Sequence, residues 1–413
     1  MFETHTFTLA NGIRVIHLQT KTDVAHCGLY INTGTRDELW HEHGIAHFIE
    51  HCVFKGTHSR KAYHILSRME NVGGEINAYT GKEETCYYAS FLKQHYARAI
   101  ELLCDITFFA TFPEKEIEKE KTVVIDEIHS YLDSPSEEIY DRFEEFIYPG
   151  HTLGNDILGT PARLKSFQKA DLLNFTTRAY NTDQMVFSSV GNISPVQLRK
   201  LLNNTLASIP ENNRNFSRNT PEPYSPFYKS IKRRTNQSHL VVGNRAYSIR
   251  DEQRTGLILL NNLLGGPGMS SRLNLSIREK YGYTYNIDSS YALYSDSGVW
   301  SVYMGTENAW IDRCRELLTK ELRKLREDLL GAAQLHKAKQ QLIGQIAIAQ
   351  ESNVSIMLGF AKTFLLFNKV ESFAEIEAKI EALDAHLLRD IAAEVFNENN
   401  LSSLVYPANT KAG

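Results

Sequence analysis

Cysteine is scarce: the 413 residues contain five (Cys27, Cys52, Cys86, Cys104 and Cys314), an odd number with no CxxC pair. That excludes a disulfide-stapled scaffold as the organising principle and points to reduced thiols in a cytoplasmic setting. Long apolar runs are missing too. One apolar stretch, residues 100–112, is broken by Glu101 and Asp105; it is too short and too polar to span a bilayer and reads as a core helix. The N-terminal stretch from Met1 to Thr8 carries an acid at Glu3 and lacks the basic-then-apolar pattern of a secretory signal. Neither sign of charge dominates, with 45 Lys+Arg against 49 Asp+Glu and a net charge of −4, so nothing overall selects a nucleic acid or an anionic membrane as partner. A soluble cytoplasmic protein is expected. What is present is ordinary globular material, 42% hydrophobic and 23% charged. The length allows a sizeable core and roughly two to three domains.

Four of the eleven prolines (Pro210, Pro221, Pro223 and Pro226) fall in one Asn- and Ser-rich stretch. This makes residues 210–228 the linker candidate between a domain at 1–209 and another at 229–413. The halves show weak self-similarity. Arg36-Asp37-Glu38 matches Arg250-Asp251-Glu252 at an offset of 214, and Tyr180-Asn181 matches Phe396-Asn397 at 216. Lys119, Lys121 and Ile128 match Lys337, Lys339 and Ile346 at 218. Three matches in order at nearly constant offset point to duplication. In the first half, β-branched and aromatic content predicts strands at 12–18, 24–33, 74–80, 85–91 and 185–190. Helices are predicted at 44–55, 61–72, 93–111 and 113–132, the last opened by proline with an acid in its first turn. Segregated elements of this kind give an α+β class, two homologous halves of sheet plus helices.

Six of the fifteen histidines lie between His41 and His64, and within them stands His47-Phe48-Ile49-Glu50-His51. Residues four apart on an α-helix share a face, so His47 and His51 offer two imidazoles one turn apart, the usual helical half of a zinc site. Glu50 can reach the same cavity. A bare HxxEH can also be a solvated His-rich helix. A catalytic zinc takes a third protein ligand and keeps one position open, and the helix after Pro113 offers Glu116, Glu118, Glu120, Asp126 and Glu127. Glu120 and Glu127, two turns apart, present to one face. Spacing alone does not separate a ligand helix from an ordinary amphipathic one.

The motif runs on into Phe54-Lys55-Gly56-Thr57, Gly73-Gly74-Glu75-Ile76-Asn77-Ala78-Tyr79-Thr80 and Val123-Val124-Ile125-Asp126-Glu127-Ile128. The order His-x-x-Glu-His defines the inverzincins, and the whole set resembles the pitrilysin or insulinase family of zinc metallopeptidases, nearest the shorter branch that includes the mitochondrial processing peptidase. The second half continues the resemblance through Leu264-Gly265-Gly266-Pro267-Gly268-Met269-Ser270-Ser271-Arg272-Leu273, Ile277-Arg278-Glu279-Lys280 and Tyr283-Thr284-Tyr285. The glycine run lacks the features of a phosphate cradle and reads as a tight turn.

The resemblance implies a zinc-dependent endopeptidase acting on unfolded or extended peptides, with one zinc per chain. Its ligands would be His47, His51 and Glu127, supported by Glu120. Glu50 would activate a water at the zinc, while Arg278 and Tyr285 reach across to bind substrate near the scissile bond. Tyr281 and Tyr283 stand where the family commonly has smaller or aliphatic residues, and Tyr283 would share a strand face with Tyr285, so either tyrosine is a candidate. The substrate is expected along an edge strand carrying Asn77, Ala78 and Tyr79. Phe54 and Tyr79 are candidates for an apolar pocket or for ordinary core. At the duplication offsets, His47, Glu50 and His51 correspond to Asn261, Leu264 and Gly265, and Glu120 and Glu127 to Ala338 and Gln345. Only the first half should bind metal. The family encloses substrate between two clam-shell halves and this chain matches one, which implies a homodimer and leaves open a heterodimer with an inactive relative. A non-catalytic scaffold and a zinc-binding interaction module are the competing readings. A nucleophilic hydrolase is weaker, because no Gly-x-Ser-x-Gly elbow occurs.

Overall fold

Period-2 alternation and turn glycines resolve into eleven strands in a computed structural model that describes residues 4–409. The first three residues of the N-terminal stretch, and residues 410–413, lie outside that range. The first sheet comprises β1 (Thr4–Thr8), β2 (Arg14–Gln19), β3 (Val24–Ile31), β4 (Glu75–Thr80), β5 (Thr85–Leu92) and β6 (Met185–Gly191), in the order β1-β2-β6-β3-β5-β4. The second comprises β7 (Tyr228–Ser230), β8 (Ser238–Ala246), β9 (Thr284–Leu293), β10 (Gly298–Thr306) and β11 (Ser402–Tyr406), in the order β7-β11-β8-β10-β9. Both sheets are mixed: β2 runs parallel to β6 and β7 parallel to β11, with the remaining pairs antiparallel. The chain is α+β. From β2 onward, the second sheet repeats the connectivity of the first strand for strand.

Each sheet is buried on both faces, which is why β6 and β10 are buried along their whole length. One face of the first sheet holds Val15, Ala25, Leu29, Tyr87 and Phe187 against the helices Ile45–Cys52, Ala62–Glu70 and Tyr96–Phe108. The opposite face, with Ile16, Tyr30, Val186 and Val190, is covered by helix Asn353–Phe367 through Met357, Ala361 and Phe364. In the second sheet, Val241, Val299, Tyr303 and Leu404 are covered by helix Pro135–Ile147 through Ile139, Phe143 and Ile147.

Each sheet is therefore completed by a helix from the far part of the chain, and no single linear cut separates the compact units. The first consists of residues 1–129, 155–219 and 349–372, the second of 130–154, 220–348 and 373–413. The passage from one to the other at Asn219/Thr220 falls inside the proline-rich stretch. Its first part is not a free tether. Arg218 grips Asp37 with two bonds, Nε–Oδ1 2.9 Å and Nη2–Oδ2 2.7 Å, and Arg214 donates to the Thr33 hydroxyl at 3.0 Å. No helix among the described residues is long and apolar enough to cross a membrane.

Candidate metal centre

The HxxEH segment forms helix Ile45–Cys52, and its amino end is fixed by two devices. Glu38 accepts hydrogen bonds from the backbone N–H groups of Gly44 and Ala46, both at 2.9 Å, tying down two of the otherwise orphaned first-turn donors. Gly44 sits at φ +92°, and a Cβ there would lie 2.7 Å from the Cα of Gly159. Only glycine fits both constraints. The apolar residues Phe48, Ile49 and Cys52 face the core, which turns His47 and His51 to the other side.

Helix Glu114–Leu132 brings its carboxylates to that side. His51 Nε2 lies 3.4 Å from Glu127 Oε2, and His47 Nε2 lies 3.8 Å from Glu127 Oε1. One donor atom from each of the three residues falls within 4.8 Å of the others, the only such group of His, Cys, Asp and Glu found among the described residues. Tetrahedral zinc bonds of about 2.0–2.1 Å place ligand atoms about 3.4 Å apart; the His51–Glu127 separation already has that spacing, and the set closes on zinc by drawing His47 inward. Its chemistry fits as well, with two imidazoles and one carboxylate. Burial, together with the neighbouring His51, pushes the His47 pKa down to about 4, so the imidazole is neutral as a metal ligand requires.

The surrounding groups orient the ligands. Glu120 Oε2 lies 3.3 Å from His51 Nδ1, and its Oε1 lies 2.6 Å from Lys55 Nζ. This carboxylate–histidine pairing turns Nε2 toward the metal position. Glu50 is on the same helix; burial raises its carboxyl pKa, and the Thr80 side chain beside it works in the opposite direction. Nothing in the sequence marks Lys55 or Thr80 for these roles. Lys55 follows Phe54 in the sequence, but nothing in its spacing marks it as the partner of Glu120. Cys52 is buried in the core, with its thiol pKa raised by burial.

β4 is an edge strand, as the substrate-pairing expectation requires, with Asn77 exposed. Phe54 and Tyr79 do not line one pocket. Phe54 packs with Tyr87 on the face that carries helix Ile45–Cys52, whereas Tyr79 packs on the face covered by Asn353–Phe367. Alternation along β4 sends Ile76 and Ala78 to one side and Tyr79 to the other. In the second unit Arg278 lies on a π-helical segment, Asn274–Glu279, and Tyr285 is 78% exposed. Tyr283 is instead packed against the core.

Residues 14–161 match the Insulinase (Peptidase family M16) model and residues 166–342 match the Peptidase M16 inactive domain. The chain belongs to peptidase family M16. It is 34% identical over 404 residues to the uncharacterized zinc protease YmxG of Bacillus subtilis (strain 168), covering 97% of this chain and 98% of that one. An uncharacterized zinc protease of Rickettsia bellii (strain RML369-C) is 30% identical over 404 residues, with 97% of each chain covered. The crystal structure of a protease from Helicobacter pylori superposes with a TM-score of 0.91 at 21% identity, covering 98% of this chain and 100% of that chain, which speaks to the fold.

Proposed function

We propose that this chain is a zinc-dependent endopeptidase that hydrolyses peptide bonds in unfolded or extended peptides. The observation that carries the reading is the convergence of one ring nitrogen each from His47 and His51 and a Glu127 carboxylate oxygen within 4.8 Å. These residues would hold one zinc ion per chain. Zinc there supplies Lewis acidity, enough to bring the pKa of water to about 7 and to polarise a carbonyl. Glu50 takes the proton from the attacking water and delivers it to the departing amine. Glu120, braced by Lys55, holds the His51 ring in place. The free edge of β4 at Asn77, Ala78 and Tyr79 offers main-chain groups to an extended substrate, which gives affinity with little sequence reading. Arg278 positions the substrate and Tyr285 stabilises the oxyanion that develops at the scissile carbonyl. The assembly is a homodimer, because this one chain carries both the ligand set and the Arg278/Tyr285 pair; sedimentation at working concentration checks it.

The test is hydrolysis of a quenched, unstructured peptide mixture by wild-type and Glu50→Gln protein, with zinc content recorded for both. Turnover by the wild type alone, at equal zinc, supports the reading. No turnover by either protein at full zinc occupancy would favour a binding role.

A further inference from the structure

Between Arg278 and Tyr285 the chain makes an unusual corner. The π-helical turn ends at Glu279, and Gly282 donates its N–H to the Arg278 carbonyl at 2.8 Å while adopting φ +66°. Tyr281 and Tyr283, on either side of that glycine, stack with centroids 5.2 Å apart and planes 7° from parallel. The other face of Tyr283 stacks on Trp310, at 4.4 Å and 18°. Tyr283 is thus the middle ring of three. Its carbonyl accepts from the Thr306 hydroxyl at 2.5 Å.

The ladder then slips. Thr284 pairs with Thr306 and Asn286 with Gly305, which leaves Tyr285 as the extra residue of a β-bulge. Ile287 and Tyr291 face the core, and strict alternation would send Tyr285 there as well. The bulge releases it to the surface. The Arg278 guanidinium is only loosely held, 3.5 Å from Asn274 and 3.9 Å from Glu279. Two polar side chains are therefore presented from irregular backbone, and the glycine between them is the most permissive joint in the segment. Stacked rings prefer a defined offset and spacing, and this stack spans that joint.

We propose that the Tyr281–Tyr283–Trp310 stack is a positioning device that fixes Arg278 and Tyr285 relative to each other, with Tyr283 as its centre. The proposal rests on the peptidase reading, in which those two side chains bind the substrate. Tyr283 acts through them and touches no reacting atom.

The experiment compares kcat/KM on the quenched peptide mixture for Tyr283→Ala and Tyr283→Phe. Each is made in the wild type and in an Arg278→Ala/Tyr285→Phe background, with zinc content measured throughout. Displacing positioning groups by about 1 Å can cost ~100-fold in rate. Tyr283→Ala is expected to lower kcat/KM by about 10- to 100-fold at unchanged zinc, and Tyr283→Phe, which keeps the ring, to recover most of that loss. In the double-mutant background the alanine should cost little more, because nothing remains to be positioned. An equal further loss there, or a failure of phenylalanine to rescue, overturns the proposal. If Tyr283→Ala does not fold, Trp310→Leu opens the stack from its other side and is judged by the same non-additivity. A wild type that cleaves nothing removes the peptidase reading and this proposal together. Cleavage with additive losses removes the proposal alone.

Discussion

His51 Nε2 and Glu127 Oε2 stand 3.4 Å apart although 76 residues separate them in the chain. The contact joins two helices, Ile45–Cys52 and Glu114–Leu132, and it closes the three-residue donor set. His51→Ala and Glu127→Ala are each expected to abolish stoichiometric zinc binding. Glu50→Gln should keep the metal and lose about 10²- to 10⁴-fold in turnover. Metal analysis beside peptide hydrolysis reads both effects.

Glu120 is a graded case. Its carboxylate meets His51 Nδ1 and Lys55 Nζ, so it orients a ligand without being one. Glu120→Ala should weaken zinc by about 10- to 100-fold. Competition with a chelator of known affinity gives the number. Lys55→Ala should move affinity in the same direction by less.

On the zinc-peptidase reading, removing the metal has a stability consequence. A ligand bound only by the folded state stabilises it by mass action, so chelation should lower the melting temperature of the wild type. It should leave that of His51→Ala unchanged. Calorimetry with and without chelator decides this.

Cutting the chain at its proline-rich stretch should fail to yield a stable first domain. A fragment of residues 1–228 lacks helix Asn353–Phe367 and so exposes Ile16, Tyr30 and Val186. It should bind a hydrophobic dye and aggregate. In the full chain, Phe143→Ala on the helix covering the second sheet should cost about 3–5 kcal/mol, measured by denaturant unfolding.

His17 sets a pH dependence. Burial lowers its pKa below the ordinary 6.5, against the opposing effect of the Ile193 and Ser189 carbonyls, and His5 adds a further lowering. The unfolded chain therefore binds more protons than the folded one as pH falls through 6.5. The contribution to stability is complete above that value and declines below it. Unfolding free energies of wild type and His17→Gln between pH 7 and pH 5 should show a shallower slope in the variant.

Several elements were legible because their causes are local. Pro113 and Glu114 mark the start of the ligand helix at Glu114, and β-branched content located β3 at Val24. Helix geometry put His47 and His51 on one face. Five carboxylates on the ligand helix were equivalent by spacing, however, and the family resemblance, not periodicity, pointed to Glu127. Phe54 and Tyr79 do not share an apolar pocket, since alternation along β4 points Tyr79 away from the face on which Phe54 packs. Tyr283 and Tyr285 were indistinguishable by alternation. The bulge that separates them depends on a register slip against β10, which belongs to the partner strand as much as to β9.

The sequence by itself determined the α+β class and the paired imidazoles on a helix, because hydrophobic period and ligand spacing act within a few residues. It also carried the repeat, seen in matched residues at offsets of 214 to 218. Only the tertiary structure decided which helix covers which sheet, that Lys55 stands beside Glu120 and Thr80 beside Glu50, and which tyrosine is released to the surface. A period states that a face must be buried without naming what buries it. That choice is made by complementary surfaces from distant parts of the chain.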